Sequence, residues 1–182
     1  MKEIVFAGFG GQGVLTAGLL LSQMALYKGY KATWMPQYGS AMRGGTANCT
    51  VKFDKGRIYN PSMEQPDIVL AMNLPAFNKF VGTIRPGGTI VVNSDMVEIP
   101  QSIREDITVI EVPCLKMAQE LGNIQSANII MAGVIVRESG YFSEEEAIDG
   151  MNDMFRKKGK DKFEQINTQA LKLGFGYSPN QN

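Results

Sequence analysis

The chain has 182 residues, 44% hydrophobic and 20% charged, with Lys plus Arg equal to Asp plus Glu at 18 each. That is the composition of one soluble globular domain with a proper core, and the balanced charge leaves no excess to draw it to nucleic acid or an anionic membrane. There is no histidine and there are two cysteines, Cys49 and Cys114; this excludes Ser-His-Asp or Cys-His catalysis, imidazole-based metal sites and an iron–sulfur cluster on the usual four thiolates.

In chain order, residues 3–7 predict a short buried strand stopped by Gly8, with no basic leader before it. The longest apolar stretches, 14–21 and 129–136, fall short of the ~20 residues of a membrane span, so a soluble cytoplasmic protein is expected. Residues 14–28 predict a helix apolar on most sides, through Val14, Leu15, Ala17, Leu20, Leu21 and Met24. A strand over 32–35 follows, stopped by Pro36, which completes a βαβ unit and implies a parallel sheet. Over 46–53, Ala47, Cys49, Val51 and Phe53 alternate with polar residues, the period of a half-covered strand. Asp54-Lys55-Gly56 predicts a hairpin turn with glycine in the left-handed position, and Arg57–Tyr59 its antiparallel return. Parallel strands are expected over 67–72, 89–93 and 108–112, with a helix over 74–81.

From Pro113 onward the pattern is helical. Residues 126–138 are apolar on nearly all faces. Ser143 and Glu146 form a capping-box signature ahead of a stripe of Ala147, Ile148, Met151, Met154 and Phe155, and a last helix is expected over 161–173. The expected fold class is thus a single α/β domain over 1–182: a mostly parallel sheet with a Rossmann-like start, a β-hairpin insertion and C-terminal helices. Its core covers 1–140, its helical part 141–174 and a loose tail 175–182.

Two segments carry chemical information. Gly8-Phe9-Gly10-Gly11-Gln12-Gly13 fits G-x-G-x-x-G between a strand and a helix, where glycines permit close backbone approach and free N–H groups can hold an anion. The same glycines also serve close helix–sheet packing, and both readings stay open. An NAD or FAD site wants an acidic residue about 20 positions on, whereas this chain has Met35-Pro36-Gln37-Tyr38. The second segment, residues 37–46, holds Tyr38-Gly39 and Arg43-Gly44-Gly45 at the carboxyl end of the second strand, where open α/β sheets bind ligands. Arg43 there either faces an anion shared with the first loop or pairs with a surface carboxylate. Cys49, on an apolar strand face, is expected to pack as a small hydrophobe. The same is expected of Cys114 despite its place at a helix start, and Asp67 and Asp95 read as turn carboxylates. The run Arg156-Lys157-Lys158-Gly159-Lys160 ends a helix. No catalytic and no metal-ligating set is identified.

At these segments the chain resembles the gamma subunit of 2-oxoacid:ferredoxin oxidoreductases. The resemblance rests on Gly8-Phe9-Gly10-Gly11-Gln12-Gly13, on Tyr38-Gly39 with Arg43-Gly44-Gly45, on Pro66-Asp67-Ile68-Val69 and on Asn128-Ile129-Ile130-Met131-Ala132-Gly133. It implies an accessory subunit beside alpha and beta subunits and a ferredoxin-like delta subunit, which would carry thiamine diphosphate and Fe-S clusters, with coenzyme A bound in the complex and ferredoxin as its redox partner. The implied cofactor-contacting residues are Gly8, Gly10, Gly11, Gln12, Gly13, Tyr38, Arg43, Gly44 and Gly45. The opening Phe6-Ala7-Gly8-Phe9 resembles the 2-oxoglutarate and branched-chain types more than the pyruvate type. A free-standing NAD(P)- or FAD-binding enzyme and a coenzyme A or phosphate-binding module are the alternatives. The surface of Met35, Tyr38 and the 43–45 loop is expected to meet partner subunits, with a homodimer in isolation.

Overall fold

The computed structural model describes residues 1–39 and 45–179. Six strands form one sheet in the order β2-β3-β1-β4-β5-β6. They are β1 (Lys2–Phe9), β2 (Lys31–Tyr38), β3 (Thr46–Asp54), β4 (Ile68–Ala71), β5 (Thr89–Asn93) and β6 (Thr108–Val112). The helices are α1 (Val14–Tyr27), α2 (Leu74–Phe80), α3 (Cys114–Glu120), α4 (Ala127–Ser139), α5 (Glu144–Lys157) and α6 (Glu164–Phe175). The single α/β layer arrangement with a mostly parallel sheet and C-terminal helices is the one the sequence predicts.

Alternate side chains of each strand feed two apolar layers. Ile4 and Phe6 of β1 join Cys49, Val51 and Phe53 of β3 and residues of α1, α3, α4, α5 and α6 on one face. Val5 and Ala7 join Val69, Ala71, Ile90 and Val92 beneath Phe77 and Phe80 of α2 on the other. α4 is apolar all round because it is enclosed, and α6 crosses it so closely that a Cβ on Gly174 would lie 1.8 Å from the Ile130 carbonyl oxygen. α5 begins with the expected capping box of Ser143 and Glu146.

Four expectations are corrected. β2 does not stop at Pro36 but continues to Tyr38; it is the edge strand, where a residue without an N–H is tolerated. β2 also does not lie beside β1, because β3 pairs antiparallel with both of them. The return strand at Arg57–Tyr59 does not form. Asp54 Oδ1 instead accepts from the Gly56 N–H at 2.7 Å, an Asx turn that leaves Gly56 out of the left-handed region. Finally, β3 is buried on both faces rather than half-covered. α6 runs to Phe175, and the Tyr177 hydroxyl donates to the Glu111 carbonyl at 2.7 Å, so the chain stays fastened beyond residue 175.

The covering of β3 on its second face requires a buried charge. Lys52 is completely enclosed; its ammonium lies 3.3 Å from buried Glu3 on β1 and is bonded to Glu64 in the segment after β3. The Glu64 N–H in turn donates to Glu3 Oε1 at 2.7 Å, which fastens that segment onto the sheet. The Lys52 hydrogen bond, ahead of one from Asn60, holds the Glu64 carboxyl below its usual range. A depressed carboxylate stabilises the fold above its unfolded pKa, and that stabilisation is lost as pH falls through the folded value. Replacing Lys52 with Met keeps the volume but strands Glu3. Lys52→Met is expected to cost about 3–5 kcal/mol, read from the urea midpoint at pH 7, and to reduce the acid-side decline in stability.

Candidate functional site

The sheet reverses its order of connection at β1. From β1 the chain moves through α1 toward β2 on one side, and from β4 through α2 toward β5 on the other. α1 and α2 also belong to opposite apolar layers. The crevice at the carboxyl ends of β1 and β4 is therefore the topological switch point, the usual binding place of open α/β sheets. The glycine turn lies there.

Within that turn Gly11 and Gly13 have positive φ, 98° and 74°. A Cβ on Gly13 would also lie 2.5 Å from Asn128 Nδ2, so only glycine serves. Gly13 is the N-cap of α1, it has no side chain to cap that helix, and the first turn holds no acidic residue. The first N–H with an intrahelical acceptor is that of Ala17, bonded to Gly13 O at 2.9 Å. The N–H groups of Val14, Leu15 and Thr16 thus have no acceptor among the described residues, and the positive end of the helix dipole is uncompensated by them. Beside it opens a cleft of about 500 Å³ lined by Gly11, Gln12 and Gly13, by Met72 and Leu115, and by residues 124–128 without Ser126. Its walls are mixed, with Ile124 exposed at the rim.

Gln12 is turned inward. Its Oε1 accepts from the Phe9 N–H at 2.7 Å and from Asn73 Nδ2 at 2.9 Å, and its Nε2 donates to Met72 O at 3.4 Å. Gly8, Gly10, Gly11 and Gly13 meet around it. The second segment joins them through the Gly10 N–H, which donates to Gly45 O at 2.9 Å. Tyr38 is highly exposed at the end of β2, aligned with Ala47 and, one strand further, with Gly8. Arg43 and Gly44 lie outside the described residues. Sequence reading missed Asn73, Asn128, Gln125 and Leu115. Asn73 had a usable signal, since Asn two residues before Pro75 is an N-cap pattern.

Both thiols are buried. Burial pushes Cys49 up to about 12, and burial with the nearby Asp95 charge pushes Cys114 up to about 12. The geometry also disfavours a dinucleotide. With β3 between β1 and β2, the chain position of the expected ribose-binding acid lies two strand spacings from β1, about 10 Å. Among the described residues no group of three or more acidic, cysteine or histidine side chains could hold a metal ion, and no helix is long and apolar enough to cross a membrane.

Residues 3–177 match the family model described as pyruvate ferredoxin/flavodoxin oxidoreductase. The chain belongs to this oxidoreductase family. Among its relatives is the ketoisovalerate oxidoreductase subunit VorA of Methanothermobacter marburgensis, 37% identical over 173 residues that cover 94% of this chain. The chain spans only 35% of that subunit's length. The 2-oxoglutarate synthase subunit KorC of the same organism is 37% identical over 156 residues, 81% of this chain and 84% of KorC. Among solved structures, the keto/oxoacid ferredoxin oxidoreductase gamma subunit from Geobacter sulfurreducens superposes with a TM-score of 0.80 at 28% identity, covering 96% of each chain. The resemblance to gamma subunits expected from the two glycine segments is therefore borne out. The raised pKa values keep both thiols protonated at neutral pH. At pH 8 a thiol with a pKa near 12 is thiolate in about one molecule in 10⁴. Both thiols are expected to stay silent to Ellman's reagent in the native chain and to react together once urea unfolds it.

Proposed function

We propose that this chain is the gamma subunit of a multi-subunit, thiamine-diphosphate-dependent 2-oxoacid:ferredoxin oxidoreductase. That enzyme would decarboxylate a 2-oxoacid, transfer the acyl group to coenzyme A and pass two electrons to ferredoxin. The observation that carries this reading is the family match along residues 3–177 in a chain with no histidine and two scattered thiols. Such a donor set does not fit an iron–sulfur cluster, which takes four ligands. The clusters and thiamine diphosphate would then reside on alpha, beta and ferredoxin-like delta subunits in the cytoplasm. The length of the VorA relative supports assembly, since this chain's sequence recurs there as about a third of a longer subunit.

The cleft offers two features that coenzyme A would use. The uncapped start of α1, with Gly11 and Gly13, would hold a phosphate through backbone N–H groups, while Met72, Leu115 and Ile124 offer apolar contact. The Gly10 N–H bonded to Gly45 O would keep Gly45, the described end of the second segment, beside that phosphate. Bound there, coenzyme A supplies the acyl-accepting thiol; this chain's residues hold and orient it. For the substrate, we favour 2-oxoglutarate, because this chain matches KorC in extent whereas it is a fraction of VorA. Ketoisovalerate is the second reading, motivated by the 37% identity to VorA.

Affinity capture of the tagged chain from its source cells is expected to bring down subunits containing thiamine diphosphate and iron. The eluate should reduce ferredoxin or viologen with 2-oxoglutarate faster than with ketoisovalerate, and only when coenzyme A is added. The chain purified alone is expected to be colourless and inactive. Turnover by the lone chain, or saturable micromolar binding of NADH or FAD to it, would refute the proposal.

A further inference from the structure

We propose that Asn73 is a positioning residue for the glycine turn, acting through Gln12 across the switch point; its consequence for ligand binding rests on the coenzyme A reading above. Asn73 is buried and uses both ends of its amide. Its Oδ1 accepts from the Ala76 N–H at 2.9 Å and so caps α2, and its Nδ2 donates to Gln12 Oε1 at 2.9 Å. That same Gln12 oxygen accepts from the Phe9 N–H at 2.7 Å. The amide of Asn73 therefore joins the start of α2, on one face of the sheet, to the turn that leads into α1 on the other.

The connection continues along the carboxyl edge of the sheet. Met72 O receives Gln12 Nε2 and also Asn93 Nδ2 from the end of β5, at 3.4 and 3.3 Å. Asn93 Oδ1 accepts from the Asp95 N–H at 3.1 Å, and Asp95 Oδ2 accepts from the Leu115 N–H at 2.7 Å. Leu115 and Gln12 are two walls of one cleft. A run of hydrogen bonds through Met72 O, Asn93 and Asp95 thus joins those walls, and Asn73, donating to the Gln12 side-chain oxygen, supports its Gln12 end. A turn of four glycines has little stiffness of its own, so its shape depends on these outside bonds.

The cap and the bridge can be separated. Ser and Asp both cap helices as well as Asn does, yet neither places an amide donor on Gln12. In Asn73→Ser and Asn73→Asp, α2 amides are expected to exchange hydrogen at wild-type rates, while the Phe9 and Gln12 amides exchange about tenfold faster. In the assembled enzyme the same variants should raise the KM for coenzyme A about fivefold to tenfold with kcat within about twofold. Wild-type exchange at Phe9 and Gln12 in both variants would overturn the positioning role. Faster exchange with an unchanged KM would keep the positioning role and reject coenzyme A as the occupant of the cleft.

Discussion

The turn between β1 and α1 has its shape because a side-chain amide is folded back beneath it. Four glycines in six residues give the backbone freedom to approach a ligand, and the same freedom would let the turn wander. Gln12 removes that freedom by bonding the Phe9 N–H, the Met72 carbonyl and Asn73 at once. These partners come from β1 itself and from the strand and helix on the far side of the switch point. The turn is consequently tied to the sheet edge that carries it, with the Gln12 amide spent on protein partners. In a turn held this way, the entropy of ordering would be met during folding and not at binding.

The insertion of β3 between β1 and β2 governs much of the remainder. It converts the expected adjacent βαβ pair into a three-strand antiparallel group and carries the end of β2 away from the glycine turn. The end of β2 thereby lies two strand spacings from β1, about 10 Å, so an acid in residues 35–38 would sit farther from the glycine turn than in an adjacent pair. The cost of the insertion appears on the second face of β3, which no long helix covers. There an enclosed Lys52 ammonium between Glu3 and Glu64 fastens the segment after β3 onto the sheet. Such an ion pair gains little over packed hydrophobes; what it adds is a specific register for a segment that has no strand partner.

Much of this architecture was legible because it follows from local pattern. The β-branched runs at 68–71 and 89–93, the Ser143–Glu146 box and the all-round apolar helix over 127–139 each announce themselves within a few residues. Strand order did not, because it depends on which edges meet after collapse, and no local period encodes that. Asp54-Lys55-Gly56 misled for a related reason. The same residues serve a hairpin or an Asx turn, and the choice lay with Lys52 and Glu64, whose pairing draws the next segment across the sheet instead of along it. Within the site, the glycines were visible as letters, whereas Asn73 became meaningful only when β4 was placed beside β1.

Two helix starts bear on the cleft, and they are treated differently. At α3, Asp95 places a carboxylate oxygen on the Leu115 and Lys116 N–H groups, at 2.7 and 3.4 Å, so its positive end is already occupied. At α1 no described side chain does this. Both walls therefore look alike in backbone terms but differ in sign. The α3 side presents a filled N-terminus with a fixed negative charge, and the α1 side presents unfilled donors. An anion beside the α1 start would find unfilled donors of a kind that the Leu115 and Lys116 N–H groups no longer offer. The fold thereby gives the two helix starts different capacities to hold a negative group, and it does so through Asp95 and the glycine turn.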